Sequence, residues 1–98
     1  MAAYLIAQIK VMDPIIYKQY TARTPAIVAK FGGRFLARAG SIEVLEGDAQ
    51  QRRLVVVEFP SIAAARDFYN SPEYQAAREI RLPVSEAEFL IVEGVEQG

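Results

Sequence analysis

From Ala3 to Val11 the chain reads AYLIAQIKV, in which Leu5, Ala7, Ile9 and Val11 alternate with Tyr4, Ile6, Gln8 and Lys10. A period of two predicts a strand with one apolar face and one mixed face. In the MDP that follows, Asp13 can accept from the free amides of a helix start. Pro14 suits the first helical position, where a missing N–H costs nothing. Ile16, Tyr17, Tyr20, Thr24, Ile27, Val28 and Phe31 then recur at helical spacing and fall within about a third of the circumference. That stripe is the face expected to pack on a sheet. Pro25 interrupts the pattern, removing one N–H and crowding the preceding turn, so a kink is expected near Ala22 to Thr24 within one helix. Gly32 and Gly33 end the helix, the first suited to the left-handed position just past its last turn.

The segment RFLARAGSIEVLEGDAQQRRLVVVEF predicts two strands around a turn at Gly47 and Asp48, with a bulge or bend at Gly40-Ser41. LVVV here and FLIV at 89–92 are apolar on consecutive residues, which points to a sheet buried on both faces. Ser61 caps a second helix with Ile62, Ala65, Phe68 and Tyr69 inward. Asn70-Ser71-Pro72 closes it and starts a short further helix to about Arg81, with Glu73 in its favourable first turn. The last strand spans roughly 88–93.

The order strand, helix, strand, strand, helix, strand is the ferredoxin-like βαββαβ arrangement, an α+β fold. Residues 1–98 are expected to form one such domain, a four-stranded antiparallel sheet with its helices on one face. Alternation assigns Tyr4, Ile6, Gln8, Leu36, Arg38, Leu54, Val56, Leu90 and Val92 to the other face. This set is too apolar to leave in water, and the expectation is a homodimer formed through that sheet face. Composition agrees: 52% of the 98 residues are hydrophobic and only 23% charged, a high apolar share for so small a body.

Charge and residue inventory narrow the chemistry. The net charge is -1 and the eleven Lys and Arg are scattered, so no nucleic-acid partner is expected. Beyond Arg81 the chain carries Glu86, Glu88, Glu93 and Glu96 with no basic residue, read as a solvated strand and terminus. No stretch approaches the roughly 20 apolar residues of a membrane span, and no signal peptide is recognisable at the start. A cytoplasmic protein with no membrane partner is expected. With no cysteine and no histidine, thiolate nucleophiles, imidazole bases and Cys- or His-ligated metals are excluded. No glycine-rich phosphate loop or nucleophile elbow occurs, and no cofactor is expected.

The segments DPIIYKQY, FGGRFLARAG, VLEGD, RLVVVEFPS, FYNSPEYQAARE and a closing VEG, in this order from about Tyr4 to Gly94, resemble the bacterial domain-of-unknown-function family numbered thirteen-thirty. The resemblance implies the dimeric α+β barrel superfamily, in which two ferredoxin-like sheets pair face to face. Its wider relatives include cofactor-free monooxygenases, isomerases, haem-binding proteins and stress-response proteins, often with ligands between helices and sheet. Absence of histidine removes His-ligated haem from that range.

Within this frame the candidate ligand-binding residues are Tyr17, Tyr20, Arg34, Arg38, Tyr69, Asn70, Ser71 and Tyr74. The four tyrosines either line one pocket or are core-edge residues with satisfied hydroxyls. Asn70 and Ser71 precede the amides of a fresh helix, which suit an anion, although Ser71 also serves as a plain cap. Arg34 and Arg38 are expected on one strand face, where they hold an anionic group or pair with Glu58 across a dimer. Among the acids nearest to ordered elements, Asp13, Glu58 and Glu93, Asp13 is a cap and Glu58 the candidate base. Two functions follow: small-molecule binding with a cofactor-free isomerisation or oxygenation, or a non-catalytic dimeric binding or stress-associated role.

Overall fold

The computed structural model describes residues 1–47 and 52–95. The alternating first segment becomes strand β1 (Ala3–Val11), with Ala3, Leu5, Ala7 and Ile9 buried. Helix α1 (Pro14–Lys30) begins as expected, the Asp13 carboxylate accepting from the Ile15 and Ile16 amides at 3.1 and 3.2 Å. Strands β2 (Arg34–Arg38) and β3 (Arg53–Phe59) follow, then helices α2 (Ile62–Asn70) and α3 (Pro72–Arg81), a 3-10 turn at Leu82–Val84 and strand β4 (Ser85–Glu93). The antiparallel sheet has the order β2-β3-β1-β4. This is the ferredoxin-like fold.

The core lies between the helices and one sheet face, where Leu5, Ala7, Ile9, Val57 and Phe59 meet Tyr17, Tyr20, Val28, Ala65, Phe68, Tyr74 and Ala77. Ser71 joins α2 to α3. Its Oγ donates to the Phe68 carbonyl at 2.8 Å and accepts from the Tyr74 amide at 3.1 Å, so one side chain ends a helix and caps the next. On the other sheet face no element of the described residues packs, and the longest axes of 43 and 38 Å contrast with a thickness of 16 Å. Leu36, Leu90 and Val92 stand there 49%, 55% and 45% exposed.

Several local expectations are corrected. The break in the β2–β3 register falls between Phe35 and Ala37 rather than at Gly40-Ser41. Past this bulge the side chains change sides: Arg34 stays opposite Glu58, whereas Arg38 pairs with Val55 and turns to the helical face. The two arginines therefore do not share a face, and Arg38 leaves the bare-face set. Strand β2 ends at Arg38, and residues 40–45 carry no regular secondary structure. Ala39 takes a left-handed φ of 58° where the strand stops. Of the predicted turn, Asp48 lies outside the described residues. Ile16 is 40% exposed instead of inward, because the buried stripe of α1 begins at Tyr17. Strand β4 starts three residues earlier than expected, its Ser85 opposite Val11.

Helix α1 runs unbroken through Pro25. The proline has no N–H for the Thr21 carbonyl one turn back. Arg38 Nη2 donates to that carbonyl at 2.7 Å, with Thr24 Oγ1 at 3.4 Å.

Gly33 follows the left-handed Gly32 (φ 76°), and its Cα faces the core closely. A β-carbon at Gly33 would lie 2.7 Å from Phe59 Cε1 and 2.9 Å from Val28 Cγ1, both buried, whereas one at Gly40 meets nothing within 4 Å. Urea unfolding should therefore show Gly33→Ala destabilised by about 1–3 kcal/mol and Gly40→Ala changed by no more than about 0.5 kcal/mol.

Candidate functional site

The helical stripe of α1 and the capped start of α3 bring Tyr17, Tyr20 and Tyr74 together over the sheet. Tyr20 and Tyr74, fifty-four residues apart in sequence, share a buried hydrogen bond of 2.8 Å between their hydroxyls. Their rings meet edge-on at 6.2 Å, and Tyr17 leans on Tyr20 at 5.3 Å. Arg81, two turns along α3 from Tyr74, is only 4% exposed. Its Nη2 reaches the Tyr74 hydroxyl at 3.4 Å, and its guanidinium lies 4.4 Å from the Phe89 ring centre and 5.6 Å from that of Tyr20.

Around this cluster the space between helices and sheet has two parts. An inner chamber of about 30 Å³ is bounded by Tyr17, Tyr20, Thr24, Arg38, Arg53 and Tyr74, over the apolar floor of the sheet. An outer cleft of about 830 Å³ opens beside it, between the first turns of α1, the end of β1 and the segment from Ala39 to Val44. Ile9, Tyr17, Thr21 and Arg53 border both spaces. At the boundary the Arg53 guanidinium stands 5.5 Å from the centre of the Tyr17 ring. Lys10, Lys18, Arg52 and Arg53 line the cleft, and no described carboxylate does.

The candidate residues divide accordingly. Tyr17, Tyr20, Tyr74 and Arg38 border the chamber or the cleft. Tyr69 packs behind Tyr74 at 5.3 Å and borders neither, Asn70 is exposed, and the Ser71 hydroxyl is consumed by its two cap bonds. Arg34 and Glu58 face each other on the bare side of the sheet, Nε to Oε1 at 2.7 Å within one chain, so Glu58 lies across the sheet from the cleft. Arg53 and Arg81 were not among the candidates. Both had a signal: Arg53 alternates in phase with Val55, Val57 and Phe59, and Arg81 extends the Tyr74, Ala77 spacing on the inward face of α3. Among the described residues no three His, Cys, Asp or Glu side chains converge as a metal set, and no helix is long and apolar enough to cross a membrane.

Burial raises the ionisation of Tyr17, Tyr20 and Tyr74 above the ordinary tyrosine value. At Tyr17 the nearby guanidiniums of Arg53, Arg81 and Arg38 pull the other way without overcoming it. The unfolded chain therefore loses these protons first as pH rises. Their stabilisation is complete below about pH 10 and declines as pH climbs toward the folded values. An absorbance titration at 295 nm should show these three tyrosines ionising late, together with alkaline unfolding. Tyr74→Phe, which strands the Tyr20 hydroxyl, should cost about 1–3 kcal/mol in urea unfolding. Tyr20→Phe combined with it should cost less than the sum of the two single changes.

None of the curated proteins matches the chain in sequence. Solved structures do match in shape. The RPA0582 protein of unknown function from Rhodopseudomonas palustris superposes with a TM-score of 0.75 at 14% identity, covering 98% of this chain and 84% of that one. A dimeric ferredoxin-like protein of unknown function from Jannaschia sp. CCS1 gives 0.70 at 11% identity, covering 96% and 100%. SnoaB, a cofactor-independent oxygenase from Streptomyces nogalater, gives 0.66 at 16% identity, covering 98% and 95%. At such identities the likeness is one of fold. The sequence itself matches the domain of unknown function DUF1330 over residues 2–95, and the chain belongs to that family.

Proposed function

We propose that this protein is a homodimer that holds a small organic molecule between α1 and the sheet of each subunit. The observation that carries the reading is the outer cleft. Its volume of about 830 Å³ is in the range of small-molecule sites. Ile9, Val11, Pro14, Tyr17, Ile42 and Val44 supply apolar walls, and four cationic side chains supply the polar rim. A dimer is supported by dimeric ferredoxin-like neighbours from Jannaschia and from Bacteroides fragilis, and the choice of the bare sheet face by the exposure of Leu36, Leu90 and Val92. Face-to-face pairing would remove these half-exposed side chains from water, each contributing about half of the roughly 1.5–3 kcal/mol of a full burial.

The lining favours binding without proton abstraction. A general base needs a group that is deprotonated near neutral pH. The cleft has no described carboxylate, and the ionisation of Tyr17 is shifted away from neutrality. The likeness to SnoaB supports a second reading, oxygenation of a substrate that arrives already ionised and asks no base of the protein.

Light scattering at micromolar concentration should give twice the chain mass, and Leu90→Glu should give a folded monomer. A wild-type monomer would overturn the dimer. Adding neutral 2-naphthalenemethanol to ¹⁵N-labelled protein should shift the amides of Tyr17, Thr21, Ile42 and Arg53 and saturate at one molecule per chain. Shifts confined to β4 and the bare face, or no saturable shift, would overturn the cleft as the site.

A further inference from the structure

The inner chamber poses an electrostatic problem that the cleft does not. Among the described residues, the carboxylates that form ion pairs are Glu73 and Glu58, and they take Lys30 and Arg34. Arg38, Arg53 and Arg81, the three guanidiniums around the tyrosine cluster, have no described carboxylate partner; Arg38 is exposed and bonded to the Thr21 carbonyl, Arg53 is half-buried and Arg81 is buried. Arg81 is almost wholly enclosed, yet its Nε finds no acceptor, and the Nε of Arg53 is likewise buried and unpartnered. Phe89, Tyr20 and Tyr17 offer ring faces, and Tyr74 one neutral oxygen. Ring faces compensate a desolvated cation only in part. A cluster of this kind is completed by an anion.

Size and shape narrow that anion. A single water needs roughly 10–15 Å³, so a chamber of about 30 Å³ takes about two oxygen-sized atoms and not a whole organic molecule. Two oxygens on one planar head describe a carboxylate, the group whose geometry matches a guanidinium fork. The remainder of such a ligand would have to lie beyond Arg53 and Tyr17, in the apolar outer cleft.

We propose that the inner chamber is a carboxylate site, and that the ligand class is a flat apolar monocarboxylic acid whose ring or chain occupies the outer cleft. The inference rests on the cleft reading above and specifies its ligand. Arg38 and Arg53 border the chamber and meet the carboxylate directly, and of the Tyr20 and Tyr74 hydroxyls the one that accepts in their mutual bond keeps its proton as a further donor. Arg81 stands behind Tyr20, Tyr74 and Phe89, and is a positioning residue: it holds the Tyr74 hydroxyl and adds its charge to the chamber.

The test compares 2-naphthoate with 2-naphthalenemethanol, which share a ring system and differ in charge, by calorimetric titration of the full-length protein. Wild type should bind the acid at least tenfold more tightly than the alcohol. Arg38→Met and Arg53→Met should each remove most of that preference, lowering the acid's affinity far more than the alcohol's. Arg81→Met should also remove it, and Arg81→Lys should restore part of it, which a purely structural arginine would not show. If Arg81→Met does not fold, the Arg38 and Arg53 variants decide. Equal affinities for acid and alcohol, with both shifting the cleft amides, would overturn the carboxylate site and leave the cleft standing. A preference untouched by both methionine variants at Arg38 and Arg53 would overturn it as well. Failure of both compounds to bind would overturn site and cleft together.

Discussion

The hydrogen bond between the Tyr20 and Tyr74 hydroxyls ties the two helical layers into one cover for the sheet. Each hydroxyl is buried, so each must find a partner within the protein, and the nearest one lies on the other helix. That requirement sets α1 and α3 side by side on the same sheet face, with Phe68 and Phe89 filling the space around Tyr74. With both helical regions committed to one face, nothing remains in the described chain to cover the other. The bare apolar surface and the tyrosine-lined chamber are thus two results of one packing choice.

A second constraint comes from Pro25. Its missing amide leaves the Thr21 carbonyl without the usual helical donor, at a point where α1 faces the edge of the sheet. The bulge between Phe35 and Ala37 turns Arg38 toward that carbonyl, and its guanidinium occupies the free acceptor. An irregularity in the helix and one in the strand therefore satisfy each other. Together they bring a cation, stacked 4.7 Å from the Phe35 ring centre, to the border of the chamber. A regular helix with a regular strand would have left Arg38 on the opposite face beside Arg34.

On the proposed reading, the chamber and cleft divide recognition into two physical problems. In the cleft, apolar walls and open volume would select by size and shape, beneath a rim of four cationic side chains. In the chamber, the proposed carboxylate would be selected by charge, through the half-buried Arg53, Arg38 at the border and the buried tyrosine hydroxyls. Surface pairs such as Arg34 with Glu58, open to solvent and already matched, contribute little to either.

Much of the fold was legible in local patterns because its causes are local. A period of two in Ala3–Val11, the Asp13-Pro14 and Ser71-Pro72 helix starts and the left-handed Gly32 each act through neighbouring residues, and the order of elements follows from them. The consecutive apolar residues of β3 and β4 also announced a sheet that wants two covers. The bulge at Leu36 had no composition signal, because a register shift is decided by the partner strand, and it moved Arg38 across the sheet. Tyr17, Tyr20 and Tyr74 were recognisable as an aromatic group, but whether they enclosed a cavity or filled it depended on distances between α1 and α3. The chain's local chemistry determined which elements form and which faces they bury. Only the tertiary structure decided that the hydroxyls of Tyr20 and Tyr74 would bond to each other, and that the half-buried Arg53 and the buried Arg81 would stand beside the tyrosines, because those contacts join segments that local forces leave independent.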